Sequence, residues 1–201
     1  ATWLEVEIAS TEVLVERGTV PKEALAAIKA RARFDVARIE EIEREVQHDV
    51  IAFTTAVAEH VGPSARWLHF GLTSSDVVDT AQALQMVEAT DLVLTLLSTL
   101  REAVKARANE HRRTAMIGRT HGVHAEPMTF GLKLALWYDQ LGRDIGRVTR
   151  ARAAIAVGQI SGAVGTFAHL DPTIEADVCR RLGLQPAPIS TQVIQRDRHA
   201  E

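Results

Sequence analysis

The sequence predicts an all-α fold, and three observations support this prediction. Apolar residues recur at intervals of three and four over long stretches, which is the spacing of one face of an amphipathic helix. The alternation of apolar and polar residues that indicates a half-buried strand is absent. Aromatic residues, which favour strands, make up only 4% of the chain. We expect an N-terminal helical domain over residues 1–72, followed over residues 73–201 by the first long helices of an incomplete bundle.

Turn and capping residues predict the limits of the first helices. Gly18 is suited to end the first helix, and Pro21 to occupy the first position of the second. Asp35 is a candidate N-cap for a third helix, whose apolar positions continue to Val57. The Gly62-Pro63-Ser64 run then ends that helix.

Two longer patterns follow, and the last third of the chain is less regular. One pattern runs from near Thr73 to about His111, which corresponds to a rod of about 55 Å. The next helix is expected to begin at Pro127, and rods of this kind must pack on other helices. Beyond them, Asp171 is expected to open a short helix that Gly183 ends, and Ser190 to cap a final one. These helix limits are predicted from the preferences of Asp and Ser for helix starts and of Gly for helix ends.

Composition and charge exclude several classes of protein. The formal net charge of -3 shows no basic excess, so nucleic acid is not an expected partner. No uninterrupted apolar stretch reaches the roughly 20 residues of a membrane span, so we expect no membrane partner. Cys179 is the only cysteine, which excludes a disulfide framework and fits a reducing cytoplasm. Both ends interrupt helical patterns, which suggests an internal piece of a longer protein.

The connection GRTHGVHAEP, residues 118–127, concentrates ionisable side chains between two helical patterns. A metal site would need His121, His124 and Glu126 to converge, but Gly122 between the histidines disfavours the helical geometry of such a set. A polar connection between helices and a catalytic loop with His121 as proton carrier are the other two interpretations.

Two further polar clusters lie at or inside predicted helices. Thr73 and Asp76 resemble a capping box, with Asp in place of the usual Glu or Gln. The hydroxyls of Ser74 and Ser75 and the neighbouring His69 are not needed for capping, and a helix N-terminus with free N–H groups and hydroxyls suits an anionic ligand. His48, in the middle of the third predicted helix, lies either on a solvated face or beside a cleft. The Gly158–Gly165 stretch lacks the lysine of a phosphate loop, so we expect either close helix approach or backbone flexibility there.

Several segments together, in order along the whole chain, resemble the adenylosuccinate lyases of the fumarase/aspartase superfamily. They are GRTHGVHAEPMTFGLKLALW, HFGLTSSDVVDTA, GAVGT, the tetrapeptide 189–192 and the closing RDRHAE. This family cleaves a C–N bond by β-elimination and releases fumarate from adenylosuccinate and from the succinylated aminoimidazole carboxamide ribotide of purine biosynthesis. The resemblance implies a cytoplasmic enzyme that needs no cofactor or metal.

The resemblance also assigns roles to individual positions. His121 matches the general acid that protonates the departing nitrogen. The positions that match substrate-binding segments are Gln47, His48, Asp49, His69, Thr73, Ser74, Thr120 and Gln192. Gln47 is a departure, because relatives often have a basic residue there. The family's catalytic base is a serine of a mobile loop that would lie downstream of Glu201, so this chain alone is expected to be inactive.

In this superfamily four subunits pack their bundles together, and each active site draws segments from three chains. The resemblance therefore implies a homotetramer that binds a purine nucleotide. The muconate cycloisomerases have a similar helix start but typically lack the histidine of GRTH, and a cycloisomerase-like enzyme remains an alternative. A non-catalytic helical assembly protein of the same fold is another, and a metal-dependent hydrolase is a third.

Overall fold

Helices dominate the computed structural model, which describes all 201 residues and confirms the predicted all-α class. The helices are α1 (Thr2–Glu16), α2 (Lys22–Arg31), α3 (Val36–Val46), α4 (Asp49–Val61), a 3₁₀ helix (Gly62–Trp67), α5 (Ser74–Glu110), α6 (Phe130–Ile155), α7 (Pro172–Arg181) and α8 (Asp197–Ala200). The strands are β1 (Ala115–Thr120), β2 (Val123–Thr129), β3 (Val157–Gly158) and β4 (Gln185–Pro186). β1 and β2 pair antiparallel, and β3 and β4 pair parallel.

The chain forms two compact units. The first contains residues 1–85 and 155–201, and the second contains residues 86–154. The boundaries of these units differ from the expected division after residue 72. That division concerns the domains of the whole protein and stays a prediction.

Most helix ends lie where the capping residues predicted them. Gly18 follows the end of α1 with a left-handed φ of 76°. Asp35 and Asp171 are the N-caps of α3 and α7, and each side chain accepts a hydrogen bond from a backbone N–H two residues later. Pro21 lies at the N-cap of α2, one residue before the predicted position. α5 begins one residue after Thr73 and ends one residue before His111.

Four expectations about the elements were wrong. The third predicted helix is two helices, α3 and α4, separated at residues 47–48. α6 begins at Phe130, because Pro127 lies in β2 opposite Ile117. No helix begins at Ser190, and only the four-residue α8 follows it. The strands themselves were not expected, because β3 and β4 have only two residues each and β1 and β2 do not alternate buried and exposed positions.

The first unit buries its core between α1, α2, α4, the start of α5 and α7. One cluster joins α1 and α5 through Val6, Val13 and Val77, none of which is exposed. A second cluster centres on Phe53, whose ring meets the Trp3 ring edge-on at 5.5 Å between centroids. This edge-to-face contact is the geometry that aromatic pairs prefer. The packing fixes the N-terminal end of α5 against α1.

The Gly158–Gly165 stretch packs closely, which is one of the two roles expected for it. Thr80 Oγ1 accepts a hydrogen bond from Gln159 N and donates one to Gln159 O, both at 3.0 Å. Gly165 has a left-handed φ of 80°, and an added Cβ would lie 2.2 Å from the Ser190 carbonyl oxygen. Only glycine satisfies both requirements at this position.

In the second unit, α6 and the C-terminal part of α5 run antiparallel. Arg152 binds both carboxylate oxygens of Asp91, at 2.5 and 2.7 Å. Nearer the hairpin, the Arg101 guanidinium carbon lies 4.1 Å from the centroid of the Tyr138 ring. The pairs 91–152 and 101–138 are in reversed order along the two helices, which defines the antiparallel arrangement.

The second unit leaves long apolar side chains uncovered. They are Leu92, Val93, Leu96 and Leu100 on α5, and Leu132, Leu136 and Trp137 on α6, each more than 40% exposed. α5 is also long and apolar enough to cross a membrane by length and composition, with a mean hydropathy of 1.3 over 18 residues of which 6% are buried. Asp91 and Thr95 interrupt the apolar run of this helix, so it contains no uninterrupted apolar stretch of about 20 residues. One such helix is weak evidence for a membrane span, because core helices of soluble proteins meet the same criterion.

Candidate active site

The N-terminus of α5 has the predicted capping arrangement. Asp76 Oδ2 accepts a hydrogen bond from Thr73 N at 2.9 Å, so the box closes with Asp in the usual place of Glu. The backbone N–H groups of a first helical turn have no intrahelical partner. Thr73 and Ser74 are both half-buried there, with their hydroxyl groups beside this turn.

The same carboxylate fixes a second segment. Asp76 is completely buried and also accepts hydrogen bonds from Ser161 N at 3.1 Å and Gly162 N at 3.2–3.3 Å. Burial raises the pKa of Asp76, because desolvation outweighs the three backbone hydrogen bonds that favour its ionised form. Asp76 thus joins the start of α5 to the loop after β3.

His48 is the N-cap of α4, at the point where α3 has ended and α4 begins. The preceding residue, Gln47, adopts a left-handed φ of 52° and ends α3, and its Nε2 donates to the carbonyl of Arg44 at 2.7 Å. His48 Nδ1 accepts a hydrogen bond from Ile51 N at 3.4 Å. The side chain of Gln47, which is predicted to bind substrate, is exposed and hydrogen-bonded to its own helix, α3.

The His48 ring also contacts the start of α5. Its Nε2 lies 3.3 Å from Ser74 Oγ, so two helix N-termini meet at this contact. When Nδ1 accepts from the backbone of α4, the neutral ring carries its proton on Nε2 and donates it to Ser74. The carboxylate of Asp49 lies 3.3 Å from Nδ1 and pairs with that nitrogen only when the ring is protonated there. Asp49 itself is exposed.

His69 lies in the turn before α5, and its partner is a residue that the sequence did not indicate. Its Nδ1 is 2.7 Å from Glu7 Oε1, and its backbone N donates to Glu7 Oε2 at 2.7 Å. Glu7 lies on α1 with 1% of its surface exposed. The position of Glu7 among the apolar residues of a helix indicates a buried partner, because a glutamate is almost never fully buried unless it is paired.

The segment with His121 connects α5 and α6 as an antiparallel hairpin. His121 and Gly122 form its two-residue turn, with φ of 51° and 75°. Two consecutive positive φ values are typical of a type I′ turn, and His tolerates this conformation better than most residues. Thr120 and His121 are exposed, and the His121 ring has no hydrogen-bond partner in the chain. His124 is also exposed and without a partner, and no group of three or more potential metal ligands occurs in the chain.

Gln192 lies near the end of the first unit, and its backbone has a buried partner. Gln159, which is not exposed, donates from Nε2 to the Gln192 carbonyl oxygen at 2.7 Å. The side chain of Gln192 is exposed. Beside it, the hydroxyls of Ser161 and Ser190 share a hydrogen bond of 2.7 Å. Gln159 was missed at the sequence level because its partner lies 33 residues away.

The first unit therefore brings His48 and Ser74 into contact and holds His69 just before the same helix. Gln192 makes no side-chain contact with them. Thr120 and His121 belong to the hairpin of the second unit. The roles that the resemblance implies for all these residues stay predictions.

Comparison with known proteins decides the family. A family model described as "Lyase" matches residues 4–201. The chain belongs to this lyase family. Adenylosuccinate lyase from Bacillus subtilis (strain 168) is 53% identical to this lyase chain over 199 residues, which are 99% of this chain and 46% of the relative. Adenylosuccinate lyase from Synechocystis sp. is 56% identical over 200 residues, which are 100% of this chain and 46% of the relative. The predicted resemblance is thereby confirmed.

Solved structures agree with this assignment. A fumarate lyase from Mesorhizobium sp. BNC1 matches 99% of this chain and 48% of its own with a TM-score of 0.91 and 31% identity. A 3-carboxy-cis,cis-muconate lactonizing enzyme from Pseudomonas putida matches 98% of this chain and 47% of its own with a TM-score of 0.90 and 31% identity. This lyase chain spans about half the length of the curated relatives it matches.

Proposed function

We propose that the whole protein is an adenylosuccinate lyase, a C–N lyase that releases fumarate from adenylosuccinate and leaves AMP. The same β-elimination would cleave the succinylated aminoimidazole carboxamide ribotide in purine biosynthesis. The observation that supports this proposal most is the identity of 53–56% to two adenylosuccinate lyases over nearly the whole chain.

The contact between two helix N-termini suits the anionic end of such a substrate. Thr73 and Ser74 offer hydroxyl groups beside the first turn of α5, where the helix dipole favours a carboxylate. His48 Nε2 lies 3.3 Å from Ser74 Oγ, so its N–H is a third donor, which a carboxylate there can share with Ser74. We infer that these three residues bind the succinyl carboxylates, with Asp49, His69, Thr120 and Gln192 at other parts of the substrate.

The elimination needs one proton removed and one supplied. A base takes the proton from the carbon next to a carboxylate, which gives a dianionic aci-carboxylate intermediate. The C–N bond then breaks, its electron pair goes to nitrogen, and the carbon–carbon double bond of fumarate forms. We assign His121 as the general acid that donates a proton to the departing nitrogen. Its exposed ring at the hairpin tip is free to reach a ligand. The base is a serine outside this chain.

We propose that the enzyme is a soluble, cytoplasmic homotetramer whose active sites combine segments of three subunits. The apolar side chains that α5 and α6 leave exposed support this proposal, because an exposed apolar surface of this extent marks an interaction site. Other copies of the same bundle would cover it. The apolar window of α5 then belongs to the interior of an assembly rather than to a membrane.

A cycloisomerase-like activity is the second candidate, and the muconate lactonizing enzyme with its TM-score of 0.90 favours it. Its identity of 31% is well below the values for the adenylosuccinate lyases. A non-catalytic assembly protein of this fold would also have exposed apolar helices, but it would not need the contact between His48 and Ser74.

An assay of the whole protein with adenylosuccinate tests the function. Fumarate and AMP are expected in equal amounts, and carboxymuconate is expected to remain unchanged. Ser74→Ala should lower kcat/KM about 10- to 150-fold, because a hydrogen bond to a charged group contributes about 1.5–3 kcal/mol. Ser75→Ala is the matched control, since Ser75 makes no side-chain hydrogen bond. Absence of fumarate, or equal losses in both variants, would contradict the proposal.

Subunit mixing tests the shared sites. A variant with His121→Gln and a variant with His48→Gln should each be nearly inactive. Mixed tetramers should regain activity, because some sites then receive both wild-type histidines from different chains. No recovery in verified mixed tetramers would argue that each site is built from one chain.

A further inference from the structure

We propose that Glu7 is a positioning residue for His69, whose carboxylate keeps a proton on Nδ1 and leaves Nε2 as the ring nitrogen available to the substrate. This inference rests on the proposed function, in which His69 belongs to the active site. Glu7 is part of α1 and would not touch the substrate itself.

The geometry shows a carboxylate devoted to one histidine. Both Glu7 oxygens are used by His69, one by its backbone N–H and one by Nδ1, each at 2.7 Å. Glu7 is 1% exposed and its carboxylate has no other partner, whereas the His69 side chain is 26% exposed. An ionised carboxylate is almost never buried in this way unless it is paired.

The chemistry of the pair determines the tautomer. A carboxylate only accepts hydrogen bonds, so Nδ1 must donate. Nε2 then carries a lone pair in the neutral ring, or a proton when the ring is cationic. It has no partner in the chain, and a ligand can therefore use it as acceptor or donor.

The second hydrogen bond fixes the backbone that carries the ring. His69 has a left-handed φ of 58°, which is uncommon for a residue other than glycine. Its backbone N–H is held by the same carboxylate that holds the ring, so backbone and side chain are oriented by one group. A carboxylate that orients a histidine in this way is a recurring device for setting tautomer and ring position.

Glu7→Gln tests the tautomer because it changes almost no volume. The backbone N–H of His69 is always a donor, so the amide oxygen of glutamine must face it. The amide NH₂ then faces Nδ1, which must become an acceptor, and the proton moves to Nε2. The variant thus keeps both hydrogen bonds to His69 but moves the ring proton from Nδ1 to Nε2. Glu175→Gln is the matched control, because Glu175 is also buried, 5% exposed, and accepts a hydrogen bond from Ile160 N at 2.7 Å without any histidine.

Kinetics of the whole protein separate positioning from structural support. E7Q is expected to lower kcat/KM about 10- to 100-fold, as partners that orient a histidine typically do. E175Q is expected to leave it unchanged. The double variant with Glu7→Gln and His69→Gln should be no worse than His69→Gln alone, because Glu7 acts only through that ring. Equal losses in E7Q and E175Q, or additive losses in the double variant, would overturn the proposal.

Neutron diffraction of the whole protein, exchanged into heavy water, observes the proton directly. A deuteron on Nδ1 directed at Glu7 is expected in the wild type, and a deuteron on Nε2 alone is expected in E7Q. A wild-type ring deuterated only on Nε2 overturns the proposal, and this test needs no variant to fold. Absence of fumarate release by the wild type would refute the proposed function but not the deuteron assignment. A Nδ1 deuteron with full activity in E7Q would refute the positioning role alone.

Discussion

Removing the Asp76 carboxylate should open the loop that it holds against the start of α5. Asp76 is completely buried and is the only acceptor for Ser161 N and Gly162 N, besides closing the helix cap at Thr73 N. Asp76→Ala leaves three backbone donors without a partner. Asp171→Ala is the control, because Asp171 is an exposed N-cap that accepts from Thr173.

The expected cost follows from the burial of each donor. Ser161 is buried, so its unpaired N–H costs about 1–3 kcal/mol. The other two donors belong to half-buried residues that water reaches in part, and together they add about 1–2 kcal/mol. Release of a carboxylate that is costly to bury offsets about 1 kcal/mol of this sum. The net loss is about 1–4 kcal/mol, against about 1 kcal/mol for a lost exposed cap.

Hydrogen exchange of the whole protein, followed by mass spectrometry, measures this loss locally. A destabilisation of about 1–4 kcal/mol corresponds to exchange about 5- to 700-fold faster, since 1.4 kcal/mol is a factor of ten. The peptide with Ser161 and Gly162 should show this acceleration in Asp76→Ala and little change in Asp171→Ala. Similar exchange of this peptide in both variants would refute the assignment of Asp76 as the tie between α5 and the loop.

Three further predictions concern other sites. His121→Gln should lower kcat about 10²- to 10⁴-fold with little change in substrate binding, and His124→Gln far less; equal small losses in steady-state assays would remove the general-acid assignment. Gly165→Ala should lower the unfolding temperature more than Gly162→Ala, because both have a φ of 80° but only at Gly165 does a Cβ meet a carbonyl oxygen; equal shifts in calorimetry would contradict this. Burial raises the pKa of Glu175, so its contribution to stability is present below its unfolded pKa and is lost as pH rises through its folded pKa. Glu175→Gln should therefore gain stability relative to wild type as pH rises above the ordinary glutamate pKa of about 4.3, and a difference in denaturation midpoint that is constant with pH would count against it.

Local sequence signals determined the family and most helix limits. Asp35, Asp171 and Gly18 could be assigned because a cap depends on residues only a few positions away. The capping arrangement at the start of α5 could be predicted for the same reason. Family membership could also be inferred from sequence, because the shared segments retain their order along the whole chain.

Other features depended on tertiary structure. The break of the third predicted helix at Gln47 has no local breaker residue, and His48 caps α4 there while contacting a helix that begins 26 residues later. The hairpin was missed because its strands do not alternate buried and exposed positions and Pro127 is equally suited to a helix start. Glu7 could not be linked to His69 because 62 residues separate them. Periodicity reports which face of a helix is buried, but only the folded chain determines which distant groups meet across that face.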